Sequence, residues 1–320
     1  GKAYVKHKGA SALSSRGEFP AAPAGRNCLA AEGADVQFVS PRCEPKGLHS
    51  LVPSRSDFIQ EETMDNIFIE GLQGMGKSTL LSEIARRRPE YKVCREGDYS
   101  PVELAWCTWM DGEQYAAMLE KYVSIRREIE AGTFREGEHY IVTYTKILTD
   151  VPGFHKDLEQ YEIYNGRRTL QDMEQIIFTR YAQFHGSGYL FECAFLQNIV
   201  EDLILFHQLD DEEILSFYQR LYAVMPKEHF RLLYLYSDKI AENIRIIQKE
   251  RSDDQGNQMW YPIMMKYLVN SPYGKAHGYN DFEDLISHLQ HRQQVELRIV
   301  REIIGDRARI IPAKEDFAAV

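Results

Sequence analysis

Nowhere in the 320-residue chain does an apolar stretch approach the roughly 20 residues that cross a bilayer. No signal-peptide pattern marks the opening residues, so neither a membrane span nor export is expected. Positive charge is scarce: 38 Lys and Arg stand against 48 Asp and Glu, a formal balance of −10. A nucleic-acid polymer requires clustered cations along its phosphates and is therefore not an expected partner. Cysteine is sparse as well. Cys28, Cys43, Cys94, Cys107 and Cys193 form no C-x-x-C pair and have no histidine at zinc spacing. That pattern speaks against a disulfide framework or a zinc site and for reduced thiols in a cytoplasmic protein. What the chain does have is 44% hydrophobic and 12% aromatic residues, enough to bury a sizeable core.

Methionine first occurs at Met64. The 63 residues before it are rich in Ala, Gly, Ser and Pro and sustain neither a helical nor a strand period. They are expected to be a disordered leader or a non-native extension, with a small ordered module as the alternative. The functional chain is expected to start at Met64.

From there, apolar runs at Ile67–Glu70, Tyr91–Arg95, Tyr189–Glu192, Leu232–Tyr236 and Ala308–Ile311 read as buried parallel strands. Helical patterns lie between them: Lys77–Arg88, about Gly112–Glu130, Leu170–Phe184, Asn198–Phe206, Asp211–Val224, Lys239–Glu250 and Phe282–Ile304. The alternation predicts an α/β three-layer fold around a five-stranded parallel sheet. Residues of about 97–187 form a long helical insertion between the second and third strands. Pro272–Tyr279 reads as a loop.

Gly71-Leu72-Gln73-Gly74-Met75-Gly76-Lys77-Ser78, followed by Thr79, fits G-x-x-x-x-G-K-[ST] between a strand and an amphipathic helix. Glycines let successive backbone N–H groups turn inward around phosphate oxygens, and the following helix adds its partial positive charge. Lys77 is expected to reach the β- and γ-phosphates of ATP, and Ser78 to bind Mg²⁺. Switch GTPases carry N-K-x-D, which does not occur here, and Asp150-Val151-Pro152-Gly153 is expected to form only a turn.

Ligands of open α/β sheets lie beyond the carboxyl ends of the strands. The second strand ends in Cys94-Arg95-Glu96-Gly97-Asp98 and the third in Glu192. Glu96 is the candidate base for a phosphoryl acceptor, with Asp98 in reserve, and Arg95 can hold an acceptor anion. Glu192 is the candidate second metal ligand. Arg245 and Lys249 fall on one helix face, with Arg251 near the helix end before the turn-forming Ser-Asp-Asp-Gln-Gly-Asn, which suggests a mobile lid over about 245–257 that closes cations on the phosphates.

These motifs together resemble the deoxynucleoside kinase and thymidylate kinase group of P-loop kinases. IEGLQGMGKST is similar to that group's opening strand and loop, Arg95-Glu96 to its arginine–glutamate motif, and Arg245-Ile246-x-x-Lys249-x-Arg251 to its lid. Trp106 lies where such kinases often place an acceptor-site tryptophan. Two features depart from the group: Gly97 replaces a proline, and Glu192-Cys193-Ala194 stands where an arginine usually follows the third strand. The resemblance covers roughly 65–110 and 188–270. In the insertion, Arg180 and Tyr181 are the best candidates for touching the acceptor, because their helix leads into the Glu192 strand.

The resemblance implies an ATP- and Mg²⁺-dependent phosphotransferase acting on a small acceptor, a nucleoside or nucleotide first. A kinase of another small hydroxyl compound and a nucleotide-gated binding protein with slow ATPase activity are the alternatives. A homodimer is allowed.

Overall fold

The computed structural model describes residues 64–252, 258 and 260–313. The leader expected over 1–63 and the lid turn at 253–257 lie outside the described residues. The chain opens with β1 (Asn66–Gly71), whose NIFIEG sequence is buried along nearly its whole length. The glycine loop then leads into α1 (Lys77–Arg87), and β2 (Lys92–Cys94) follows. The insertion contributes α2 (Gly112–Lys121), α3 (Arg126–Ala131), β3 (Thr133–Glu136), β4 (His139–Val142), α4 (Phe154–Glu159) and α5 (Leu170–Gln183). Next come β5 (Tyr189–Glu192), α6 (Gln197–Leu205), α7 (Asp211–Val224) and β6 (Phe230–Tyr236). The last part holds α8 (Ile240–Glu250), α9 (Trp260–Asn270), α10 (Pro272–His277), α11 (Phe282–Arg298) and β7 (Ala308–Pro312).

The five expected strands form one sheet in the order β2-β5-β1-β6-β7, every neighbouring pair parallel. With intervening helices this is an α/β fold consistent with three layers. The chain runs outward from β1 to β2, returns to β5 beside β1, and crosses to β6 on the other side. That reversal places a crevice at the carboxyl end of β1, where the glycine loop lies. Beneath it, Phe68 stacks on Phe191 with ring centroids 4.6 Å apart and meets Phe230 at 4.8 Å. Among the described residues, no helix is long and apolar enough to cross a membrane. Cys94, Cys107 and Cys193 are free and buried.

Three expectations need correction. The insertion is not purely helical: β3 and β4 pair as an antiparallel hairpin around Gly137-Glu138, with Gly137 at φ 56°. The expected helix at 112–130 breaks between Tyr122 and Ile125, where a short 3₁₀ turn separates α2 from α3. Met118, Ile129, Val142, Tyr144 and Phe154 give the insertion a small core of its own. Pro272–Tyr279 is mostly helix rather than loop. Pro272 takes the first turn, where a missing N–H costs nothing, and Ser271 caps it by accepting from Gly274 N. At the other end of α11 the last expected turns, Ile299–Ile304, widen into a π-helix.

Gly71 shows how tightly the loop is seated. Its φ is 133°, and a Cβ there would lie 2.5 Å from the Leu235 carbonyl oxygen of β6. Gly71→Ala is expected to lower unfolding free energy by about 2–3 kcal/mol in urea titration, combining backbone strain with a clash. Gly137→Ala, in open space at φ 56°, is expected to cost only about 1 kcal/mol. Equal losses at the two sites would contradict this packing.

Candidate functional site

The loop between β1 and α1 is built around Lys77. Its Nζ donates to the carbonyl oxygens of Gly71 at 2.8 Å and Leu72 at 2.7 Å, so the ammonium sits within the curve of the loop. Gly74 and Gly76 take positive φ values of 75° and 93°, open to glycine at little cost. Gly76 is also the N-cap of α1 and offers no side-chain cap, unlike Asp111, Thr169, Asp210 and Asp281 on α2, α5, α7 and α11. The first amides of α1 are therefore not claimed by a capping side chain, which suits an anion. Leu72 and Met75 are fully buried, whereas Thr79 is exposed. Gln73 Oε1 accepts from Arg292 at 2.8 Å. Arg292 is buried in turn among Glu201, Glu296 and His288, with Nη1 2.5 Å from Glu201 and Nε 3.1 Å from Glu296.

Two carboxylates reach the same edge of the sheet. Ser78 Oγ donates to Glu192 Oε1 in a close contact, joining the two residues expected to hold a metal. The register sets this up, because Ile69 pairs with Glu192. Glu96 Oε1 accepts from Trp106 Nε1 at 3.0 Å and from Gln197 Nε2 at 3.1 Å. Trp106 is held at φ 62°, a conformation rare for a bulky residue and a form of strain that functional sites retain. Asp98 closes its own turn, accepting from Arg95 N at 2.8 Å and pairing with Lys146 at 3.1 Å. Of the two candidate bases, Glu96 is the one bonded to the tryptophan.

Other expected site residues stand elsewhere. The Arg95 guanidinium donates to Ser82 on α1 at 3.1 Å. Arg180 is buried and committed to Glu136, to the Ser100 carbonyl, and to the Val102 carbonyl at 3.4 Å. The Tyr181 hydroxyl donates to Ala194 O at 2.6 Å. An acceptor contact by either would break those bonds. Arg245 lies over the Phe282 ring at 4.9 Å and Arg251 over Trp260 at 5.6 Å, while Lys249 is exposed. Both arginines thus lie over aromatic rings. The apolar face of α8 is what touches the loop: a Cβ on Gly74 would lie 2.1 Å from Ile247 Cδ1, and Asn243 Nδ2 is 3.4 Å from Met75 Sδ.

Three residues of the site were not singled out from sequence. Glu70, fully buried, accepts from the backbone N–H groups of Phe195 at 2.6 Å and Gln197 at 3.2 Å. Burial outweighs those bonds and nearby Lys77, and pushes its carboxyl up to about 7. Glu103, also buried, accepts from Ala105 N at 2.8 Å, and burial with the charges of Glu96 and Glu70 pushes it up to about 8. Gln197 bridges Glu70 through its backbone and Glu96 through its side chain. The only sequence signal was a carboxylate inside an apolar strand, FIEG, which is costly unless used.

Among the described residues no three His, Cys, Asp or Glu side chains converge as a metal cage. A hydroxyl and one carboxylate, as in Ser78 and Glu192, fit Mg²⁺, which keeps most of its waters. No protein-family model matches the chain, and no curated protein was found similar to it.

Glu70 and Glu103 bind a proton more tightly in the folded chain than at the ordinary carboxylate value of 4.5. Their contribution to stability is therefore fully present below pH 4.5 and lost as pH rises through about 7 to 8. The urea midpoint is expected to fall between about pH 5.5 and pH 8.5, and Glu103→Gln is expected to shrink that fall. A midpoint that rises over this window, or an unchanged slope in the variant, would contradict the burial of these acids.

Proposed function

We propose that the chain is an ATP- and Mg²⁺-dependent phosphotransferase of the P-loop kinase type, acting on a small hydroxyl-bearing acceptor. The observation that carries this reading is the contact between Ser78 and Glu192 beside Lys77, with the Glu96–Trp106 pair at the same edge of the sheet. ATP held with Mg²⁺ would supply the γ-phosphoryl group and neutralise part of its charge.

The chain's own residues have separable tasks. Lys77 and the amides at the start of α1 bind and orient phosphate oxygens. Ser78 and Glu192 are the residues to hold the metal. Glu96, fixed by Trp106 and Gln197, orients the acceptor hydroxyl and takes its proton as that oxygen receives the phosphoryl group and ADP departs. Helix α8, in contact with Gly74 through Ile247, can exclude water from the loop. Nucleosides and nucleotides lead as acceptors because of the motif resemblance, with other small alcohols behind them.

A second reading draws on that same Ile247 contact: a helix resting on the loop is also how a nucleotide-gated binding protein would sense its ligand. Labelled ATP incubated with a panel of nucleosides, nucleotides and other small alcohols separates the two. Acceptor-dependent transfer is expected to fall about 10²–10³-fold in Lys77→Ala and about 10²–10⁴-fold in Glu96→Gln. ATP binding with no transfer to any acceptor, indifferent to Glu96→Gln, would favour the gated binder.

A further inference from the structure

Glu70 has no part in the chemistry described so far, yet it is the last side chain of β1 before the glycine loop and is fully buried. Its carboxyl group crosses from β1 to the start of α6, where Oε1 accepts from Phe195 N at 2.6 Å and Oε2 from Gln197 N at 3.2 Å. Helix α6 has need of this. Leu196 stands at its N-cap and contributes no side-chain hydrogen bond, and the helix is buried along its whole length. Its first amides would otherwise be sealed from water without an acceptor. A carboxyl group here also meets the positive end of the helix dipole. Glu70 thus caps α6 from a neighbouring strand, as Asp210 caps α7 from within the chain.

The turn held in this way is bonded on its other sides too. Cys193, at φ 57°, donates its N–H to Ile69 O at 3.1 Å, and its carbonyl accepts from Asn198 Nδ2 at 3.1 Å. The Ala194 carbonyl accepts from the Tyr181 hydroxyl at 2.6 Å and the Phe195 carbonyl from Tyr218 at 2.7 Å.

From this turn Gln197 extends Nε2 to Glu96 Oε1 at 3.1 Å. The Oε1 of Gln197 itself is buried with no hydrogen-bond partner among the described residues, so the backbone N–H that Glu70 accepts is what anchors the residue. Trp106 Nε1 donates to the same oxygen of Glu96 at 3.0 Å. Among the described residues no hydrogen bond reaches Glu96 Oε2. Glu96 is therefore gripped by one oxygen and presents the other.

We propose that Glu70 is a positioning residue for the base: through the start of α6 and Gln197 it fixes Glu96 relative to the phosphate loop, leaving Glu96 Oε2 to take the acceptor's proton. The inference rests on the phosphotransferase reading above and deepens it. Glu70 and Gly71 are consecutive, and Lys77 donates to the Gly71 carbonyl. The same end of β1 thus anchors the phosphate cradle directly and the base through Gln197. In the transfer the hydroxyl proton passes to Oε2, the freed oxygen bonds the γ-phosphorus, and the bond to ADP breaks. A base displaced by about 1 Å would lose about 10²-fold in rate, so a rigid link between the two parts has a use.

Amide hydrogen exchange tests the cap and steady-state kinetics test the positioning. In Glu70→Met, close in size but without the carboxyl oxygens, the Phe195 and Gln197 amides are expected to exchange about tenfold faster. With the best acceptor of the panel, kcat is expected to fall about tenfold or more while KM for ATP stays within about twofold. Glu70→Gln, which keeps one accepting oxygen, is expected to stay within about threefold of the native kcat. In a Glu96→Gln background, Glu70→Met is expected to have no further effect on kcat, whereas a merely structural loss would multiply. Gln197→Met leaves the cap in place and is expected to show the same kcat loss, and it serves alone if Glu70→Met does not fold. Unchanged exchange at both amides, or a kcat loss repeated in full in the Glu96→Gln background, overturns the positioning role and leaves the phosphotransferase standing. No acceptor-dependent ADP formation by the native chain from any compound, with ATP still bound, overturns both.

Discussion

The parallel register of β1 on β5 is the constraint from which the site follows. Ile69 opposite Glu192 brings the end of β5 level with the start of the glycine loop, and the Ser78 hydroxyl closes the gap to Glu192. Strand side chains alternate between faces, so a slip of one residue would send Glu192 to the opposite face. Phe68 against Phe191 and Phe230, on the same pair of ladders, penalises any such slip with lost packing. The core thus fixes the chemistry above it.

Setting acids around that register has a cost, and the fold meets it unevenly. Glu201 and Glu296 share Arg292, whose guanidinium also orients Gln73 of the loop, so the charge beneath the loop is compensated. Glu70 and Glu103 have hydrogen bonds but no cation in contact, and burial drives both toward the protonated form. Such uncompensated carboxyls destabilise a fold and are retained where a ligand uses them.

Much of this architecture is legible in the sequence, for identifiable reasons. Central parallel strands must be apolar on both faces, so the runs around Phe68, Phe191 and Leu232 stand out, and the glycine–lysine spacing marks the turn after the first. The β3–β4 hairpin is hidden because its residues are half exposed and its turn lies among the charges Arg135, Glu136 and Glu138. Helices α9 and α10 are masked by Pro262 and Pro272, both tolerated in first turns. The commitment of Arg180 to Glu136 cannot be seen either, since the partner arrives from a hairpin 44 residues away. Nor does spacing reveal that Glu70 meets Phe195 and Gln197, a contact made only when the sheet closes.

The central claim is that Ser78 and Glu192 form one divalent-metal seat beside Lys77. Electron paramagnetic resonance of Mn²⁺ titrated with the protein and ATP tests it most directly. The account predicts a nucleotide-dependent bound Mn²⁺ signal that weakens at least about tenfold in affinity in both Ser78→Ala and Glu192→Gln. Binding of Mn²⁺–ATP unchanged in both variants would contradict it.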